Sequence, residues 1–187
     1  RQNGLEAAIL HRSAETFIFG ICGGYQMLGK QIADPHGVET GGVIRGMGLL
    51  PVTTELGEQK VRTRVGGEIL GGMLDGCELS GYEIHMGRTE ALGGCRETIY
   101  LADGRVDGLA NPEGTVYGTY LHGIFDYGDL AAMLVSRLMV KKGLDPKNWH
   151  FDARAHKKQE YDKLADLVRS SLDMKKIYEI LEEGISC

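Results

Sequence analysis

Residues 17–31 read FIFGICGGYQMLGKQ, an apolar run that meets a single cysteine and then a pair of glycines. The overlapping segment TFIFGI, residues 16–21, is typical of a strand that is buried in a parallel sheet. Residues 25–33 carry a helical pattern, which the string DPHG closes. The stretch therefore predicts a strand, a sharp turn and a helix, with Cys22 on the turn.

Residues 20–24 have the spacing G-x-C-x-G, the thiol form of the turn that displays a nucleophile between a strand and a helix. Glycine neighbours permit unusual backbone angles and leave room for a substrate beside the sulfur. N–H groups at the start of the helix favour a thiolate and can stabilise an oxyanion. Cysteines more often serve as small apolar core residues, and we interpret Cys77 and Cys95 in that way. For Cys22 the flanking glycines favour a nucleophile.

The composition limits the class of protein. The chain has 187 residues, of which 42% are hydrophobic and 25% charged, enough for one well-packed domain. Its net charge is −5 and its basic residues are spread out, so we expect no nucleic-acid partner. No apolar run approaches the roughly 20 residues that span a bilayer, and no signal peptide is evident. We expect a soluble, cytoplasmic protein without a membrane partner.

The four cysteines show no C-x-x-C spacing, so we expect reduced thiols and no metal site. Elsewhere the pattern changes from strands to helices along the chain. Residues 4–11 predict a helix end, and the glycine-rich residues 41–121 predict several strands. Residues 129–142 and 157–183 carry amphipathic helical patterns. The chain therefore combines a β-rich middle with helices at its C-terminal end.

A thiolate nucleophile usually works with a base, so the histidines are the next candidates. His122 ends the apolar segment VYGTYLH, at a strand end where α/β sheets collect functional groups. His85 lies in the strand-like segment GYEIHMG. A histidine on a strand is often a core residue with satisfied hydrogen bonds, and that alternative stays open for both.

Four segments together resemble the glutamine amidotransferase domains of the cobyric acid synthase family, class I (triad-type) amidotransferases of cobalamin biosynthesis: FGICGGYQMLGK, GYEIHMGRTE, GTVYGTYLHGIFD and KKQEYDKLADLVRSSLDM. The resemblance implies an α/β, flavodoxin-like fold with a mostly parallel central sheet, flanking helices and C-terminal helices. It implies a single domain over residues 1–187. It also implies hydrolysis of glutamine through a cysteine thioester, in which Cys22 matches the family's nucleophile and His122 its catalytic histidine.

Further site residues follow from that expected mechanism. We expect the N–H of Gly23 to face the oxyanion, and Tyr25, Gln26 and His85 to contact the glutamine. Gln26 is favoured because it lies one turn after the nucleophile and can face the pocket. No cofactor and no metal are expected to bind to this domain.

One position departs from most triad-type amidotransferases, which carry a glutamate two residues after the histidine. This chain has Ile124 there. The family that it resembles also lacks the glutamate, so the departure agrees with the resemblance. Glu83, Asp126 and a group from another domain are the candidates for orienting His122.

The resemblance further implies a longer polypeptide, in which a synthetase domain and the opening strands of the amidotransferase domain precede this chain. That opening segment is expected to supply a second oxyanion-hole amide. ATP and magnesium are expected to bind to the synthetase domain, where ammonia would amidate a corrinoid, adenosylcobyrinic acid a,c-diamide. Three alternatives stay open. They are the glutaminase of a related synthetase (cobyrinate a,c-diamide synthase or lipid II amidation), a stand-alone Cys-His hydrolase, and a non-catalytic docking domain.

Overall fold

The computed structural model describes residues 3–126, 129–149 and 152–184. Its helices are α1 (Leu5–Arg12), α2 (Gly23–Leu28), α3 (Leu130–Lys141), α4 (Ala153–Ser171) and α5 (Met174–Glu183). Its strands are β1 (Ile18–Ile21), β2 (Gln31–Asp34), β3 (Gly42–Arg45), β4 (Val52–Ile69), β5 (Cys77–Ala91), β6 (Arg96–Leu101), β7 (Val106–Ala110), β8 (Val116–Thr119) and β9 (Leu121–His122).

The chain divides into two compact units, residues 1–149 and residues 150–187. The first unit contains the sheet and α1 to α3, and the second contains α4 and α5. The expected single domain over residues 1–187 stays a prediction. None of the described helices is long and apolar enough to cross a membrane.

The nine strands form one mixed sheet. Its order is β1-β8-β7-β6-β4-β2-β3, and β5 pairs with β4 and with β9. Of the eight pairings between described strands, two are parallel, β1 with β8 and β2 with β4. The α/β class with C-terminal helices is confirmed, but the expected mostly parallel sheet is wrong. The glycine-rich middle of the chain folds into hairpins, and a hairpin pairs its two strands antiparallel.

The longest hairpin is made by β4 and β5. Their pairing runs from Ile69 opposite Cys77, near the turn, to Val52 opposite Ala91. The register shifts between Leu56 and Val61, which marks an irregularity in β4. The free edge of β5 then receives the short strand β9. This long strand is therefore shared by the hairpin and by the segment that carries His122.

Two clusters of buried apolar residues form the core of the first unit. One cluster contains Tyr117, Leu121 and Leu130, the first residue of α3. The other contains Tyr25 and Leu28 of α2. Gly118 of β8 makes this second packing possible, because a Cβ at Gly118 would collide with the Tyr25 ring.

Two of the predicted helices differ in extent from the observed ones. The helix expected over residues 25–33 begins at Gly23 and ends at Leu28, because residues 31–34 pair with strands on both sides as β2. The pattern over residues 157–183 forms two helices, α4 and α5, with Asp173 capping the second. The helix expected over residues 129–142 is confirmed as α3.

Candidate active site

Cys22 lies on the turn between β1 and α2, as the sequence pattern predicts. Its backbone angles are φ 52° and ψ −114°, and it is the only described non-glycine residue with a positive φ. Such a conformation costs about 1–3 kcal/mol and persists only where surrounding structure enforces it. Here the Cys22 N–H donates to the Thr119 carbonyl at 2.8 Å, which ties the turn to the end of β8. The thiol is partly exposed.

The glycines around Cys22 have two different physical roles. A Cβ at Gly20 would lie 2.5 Å from Cδ1 of Leu28 and 2.9 Å from the carbonyl carbon of Gly24, so Gly20 allows α2 to approach β1 closely. A Cβ at Gly23 or Gly24 would meet nothing within 4 Å, so these glycines border open space. Gly23 is the first residue of α2, and the first N–H groups of a helix have no acceptor within it. The oxyanion role of Gly23 stays a prediction.

The thiol and His122 both reach β5. Sγ of Cys22 donates to the carbonyl of Ile84 at 3.7 Å. His122 lies opposite Tyr82 in the pairing of β9 with β5. Two residues of strand rise about 7 Å, so the topology brings the sulfur and the imidazole to the same short part of β5. No hydrogen bond joins the two side chains within the described residues.

The His122 ring is in contact with the aromatic ring of Tyr82. Its Nε2 is buried and has no hydrogen-bond partner among the described residues. The ring is stacked on Tyr82, with centroids 5.4 Å apart and an interplanar angle of 8°. An imidazole nitrogen that is not engaged by the protein can exchange a proton with a reacting group.

His85 is held more completely than His122. Its Nδ1 lies 2.8 Å from the carbonyl oxygen of Gly87, so Nδ1 carries the proton and donates it. The ring stacks on Tyr120 with centroids 3.9 Å apart. Nε2 is 3.6 Å from Oε1 of Glu83, too long for a hydrogen bond, and is otherwise without a partner among the described residues. These contacts fit both a core histidine and a substrate contact, and the latter stays a prediction.

The other two predicted glutamine contacts lie on α2. Gln26 points its Nε2 to the Tyr120 hydroxyl at 3.4 Å, and a Cβ at Gly87 would collide with the same amide. Tyr25 is 1% exposed and packs edge-on against Tyr120, which gives it a packing role in the core. Tyr25 is thus a core residue that also lines the cleft described below, and the glutamine contacts of Gln26, His85 and Tyr25 all stay predictions.

A cleft of about 660 Å³ opens beside this cluster. His85, Tyr25 and Tyr120 line it together with charged residues, whereas Cys22 and His122 are not among its described lining residues. Tyr120 also belongs to a row of hydroxyls, because its OH lies 2.7 Å from Oγ1 of Thr89. The predicted residues therefore form two adjoining groups. Cys22 and His122 approach β5 at Tyr82 to Ile84, and His85 and Gln26 surround Tyr120.

Two acidic residues of the cleft have partners that the sequence does not predict. Glu83 is expected only as a candidate for orienting His122, and Asp107 is not singled out. Glu83 is 2% exposed and accepts two hydrogen bonds from Arg105, at 3.1 Å and 2.7 Å. Asp107 accepts hydrogen bonds from the Thr119 hydroxyl and the Tyr120 N–H, and burial raises the pKa of its carboxyl. Neither set of hydrogen bonds could be predicted from a short sequence motif, because the bonded residues are 12 to 22 positions apart in the chain.

Comparison with known proteins identifies the family to which the chain belongs. Residues 1–130 match the CobB/CobQ-like glutamine amidotransferase domain. The chain belongs to this family. Cys22, Gln26, His85 and His122 all lie within the matched residues, whereas α4 and α5 lie beyond them.

Relatives extend the likeness to nearly the whole chain. The cobyric acid synthase of Lachnoclostridium phytofermentans is 46% identical over 203 residues, covering 99% of this chain and 40% of that protein. The cobyric acid synthase of Ruminiclostridium cellulolyticum is 43% identical over 197 residues, covering 99% and 38%. The chain thus spans about two fifths of the length of these curated relatives. Among solved structures, PurLQS from Thermotoga maritima matches with a TM-score of 0.49 and 16% identity, over 73% of this chain and 66% of that one.

Proposed function

We propose that this chain is the glutaminase part of a cobyric acid synthase, in which Cys22 is the nucleophile and His122 the proton carrier. The observation that carries the proposal is the strained turn at Cys22. It displays a partly exposed thiol where β1 meets α2, on the same part of β5 that pairs with His122. The names of the relatives favour cobyric acid synthase over the related synthetases.

The first half-reaction forms a thioester. The Cys22 thiolate attacks the side-chain carbonyl carbon of glutamine, so a carbon–sulfur bond forms and the carbonyl oxygen becomes an oxyanion. The N–H of Gly23 faces that oxyanion, in the open space beside the sulfur. As the carbon–nitrogen bond breaks, His122 delivers a proton to the leaving nitrogen, which departs as ammonia.

The second half-reaction restores the thiolate. His122 accepts a proton from water, and the hydroxide equivalent attacks the γ-glutamyl thioester. The carbon–sulfur bond then breaks, releasing glutamate and the Cys22 thiolate. Gln26, His85 and Tyr25, which all contact Tyr120, contact the rest of the glutamine in this proposal.

The remaining assignments concern the longer polypeptide. Ammonia from this site would pass to a synthetase part, where ATP and magnesium activate a carboxylate of the acceptor. The acceptor assigned by the family resemblance is adenosylcobyrinic acid a,c-diamide, a corrinoid. The relatives' greater length supports a synthetase part in the same polypeptide. We also propose a cytoplasmic location for the protein.

Glutamate release by the full-length polypeptide tests the proposal. We expect Cys22→Ser to abolish glutamine hydrolysis, because the hydroxyl is a much weaker nucleophile than the thiolate. We expect His122→Asn to lower kcat by about 10²–10⁴-fold, the usual contribution of acid–base catalysis. Cys95→Ser, which changes a thiol outside the turn, is the matched control and should retain activity.

The acceptor distinguishes the competing functions. ATP together with the corrinoid should raise glutamine turnover if the chain serves a cobyric acid synthase. Peptide cleavage without any synthetase substrate would instead indicate a stand-alone hydrolase. Glutamine hydrolysis that persists in Cys22→Ser would show that the proposed nucleophile is wrong.

A further inference from the structure

A proton carrier needs a fixed ring, and within the described part of the chain no carboxylate is hydrogen-bonded to Nε2 of His122. Its Nε2 has no hydrogen-bond partner among the described residues, and its ring is stacked on Tyr82. Ile124 is fully buried in the core, at the position where a glutamate would follow the histidine by two residues. Glu83 points its carboxylate to Arg105 and lies beside His85. Neither Ile124 nor Glu83 therefore orients the His122 ring.

The contact that His122 does make is with Tyr82. The two residues face each other across the β5–β9 pairing, and their rings are nearly parallel, at 8°, with centroids 5.4 Å apart. Offset stacking at this separation is a favourable aromatic geometry. Directly opposite residues are also the pairs that stabilise antiparallel strands. The pairing of β5 with β9 and the stacking of the rings therefore act on the same two residues.

Two glycines allow this close pairing. A Cβ at Gly81 would collide with the carbonyl oxygen of His122. A Cβ at Gly123 would lie 3.3 Å from Cε1 of Tyr82, and Gly123 has a φ of 72°, which L side chains rarely adopt. Gly81 directly precedes Tyr82, and Gly123 directly follows His122. A side chain at either position would push Tyr82 and His122 apart.

We propose that Tyr82 is the positioning residue for His122, its ring taking the place of a carboxylate. This inference rests on the proposed function, since it assigns to Tyr82 the task of holding the proton carrier. Stacking restricts the tilt of the imidazole plane and leaves the ring nitrogens to the reaction. Nε2 of His122, buried and without a partner among the described residues, is the atom that this arrangement reserves for proton transfer.

The first test compares Tyr82→Leu with Tyr82→Phe in glutamine hydrolysis by the full-length polypeptide. Loss of the ring should lower kcat at least 10-fold and change KM by less than about 3-fold, because the substrate contacts are left in place. Tyr82→Phe, which keeps the ring, should restore most of kcat. Tyr100→Leu removes an exposed tyrosine from β6 and is the matched control.

The double variant with His122→Asn shows whether Tyr82 acts through His122. If it does, Tyr82→Leu costs little once the histidine is gone. An equal loss in both backgrounds would overturn the proposal, as would a Tyr82→Leu variant with normal kcat. Asp126→Asn lowering kcat while Tyr82→Leu does not would assign the orienting role to that carboxylate instead. If Cys22→Ser and His122→Asn keep full activity, the proposed function itself fails.

A second readout does not require catalysis. Ring stacking shifts the His122 imidazole proton resonances upfield in an NMR spectrum of the full-length polypeptide. Tyr82→Leu should move these resonances towards the positions of a free imidazole, and Tyr82→Phe should not. Unchanged His122 resonances in Tyr82→Leu would show that the rings are not stacked in solution, which would overturn the proposal.

Discussion

Replacing Cys22 by glycine and by alanine should separate the strain at this turn from the loss of its thiol. Both variants lack the sulfur and its contact with the Ile84 carbonyl. Alanine must still adopt φ 52° and ψ −114°, which L residues rarely occupy, whereas glycine adopts such angles readily. The difference in stability between the two variants therefore measures the free-energy cost of the strained backbone conformation.

The size of the difference follows from two opposing free energies. Relief of the strained conformation should stabilise the glycine variant by about 1–3 kcal/mol. The greater freedom of glycine in the unfolded chain should destabilise it by about 0.5–1 kcal/mol relative to alanine. The free energy of unfolding of Cys22→Gly should therefore exceed that of Cys22→Ala by about 1 kcal/mol, which corresponds to about 2–4 °C in Tm for a chain of this length.

Thermal and denaturant unfolding of Cys22→Gly and Cys22→Ala measure this difference. The same pair of substitutions at Cys77, a buried strand residue without a positive φ, is the control. There we expect the opposite order, with glycine less stable than alanine by about 0.5–1 kcal/mol. If the Tm of Cys22→Gly is equal to or below that of Cys22→Ala, the inference that the turn is strained is refuted.

Three further predictions concern packing and charge. Gly118→Ala should lower the free energy of unfolding by about 1–3 kcal/mol, because its Cβ would collide with a buried tyrosine ring. Gly24→Ala, whose Cβ meets nothing, should raise it by up to about 1 kcal/mol. Glu83→Gln, which removes a buried charged acceptor, should lower the free energy of unfolding by about 1.5–3 kcal/mol. Glu90→Gln, in an exposed ion pair with Arg88, should lower it by less than about 1 kcal/mol. Since burial raises the pKa of Asp107, the folded protein binds that proton more tightly than the unfolded chain, and stability should fall as pH rises from the ordinary pKa through the raised one. Asp107→Asn should remove that pH dependence.

Denaturant unfolding checks these predictions. Equal costs for Gly118→Ala and Gly24→Ala would contradict the packing at β8, and equal costs for Glu83→Gln and Glu90→Gln would contradict the buried pair. For Asp107, the difference in stability between wild type and Asp107→Asn is measured at several pH values. A difference that is constant with pH would show that the carboxyl titrates normally.

The turn at Cys22 could be predicted because all of its signals are local. An apolar run, a glycine on each side of the cysteine and a helical pattern occur within a few residues, and the structure contains the strand, turn and helix in that order. The end of α2 could not be placed in the same way. Residues 31–33 continue the helical pattern, but their pairing with β4 and β3 forms a strand instead. Pairing with distant strands therefore determined the secondary structure of residues 31–33.

The surroundings of the candidate site depend on pairings that no local pattern encodes. Glu83 and His85 lie in one recognisable segment, yet the partner of Glu83 is Arg105, after two further turns of the chain. Tyr82 meets His122 across forty residues because β9 adds to the edge of β5. The sequence therefore indicated which residues could be catalytic, whereas the groups that hold them became visible in the fold.

Reaction with a glutamine-analogue electrophile, diazo-oxo-norleucine, tests the central claim most directly. Mass spectrometry of the full-length polypeptide after treatment should find one covalent adduct, located on Cys22, and none in Cys22→Ser. Cys77 and Cys95 should stay unmodified, because neither lies on a strand–helix turn beside open space. An unmodified Cys22, or labelling that persists in Cys22→Ser, would contradict the assignment of this residue as the nucleophile.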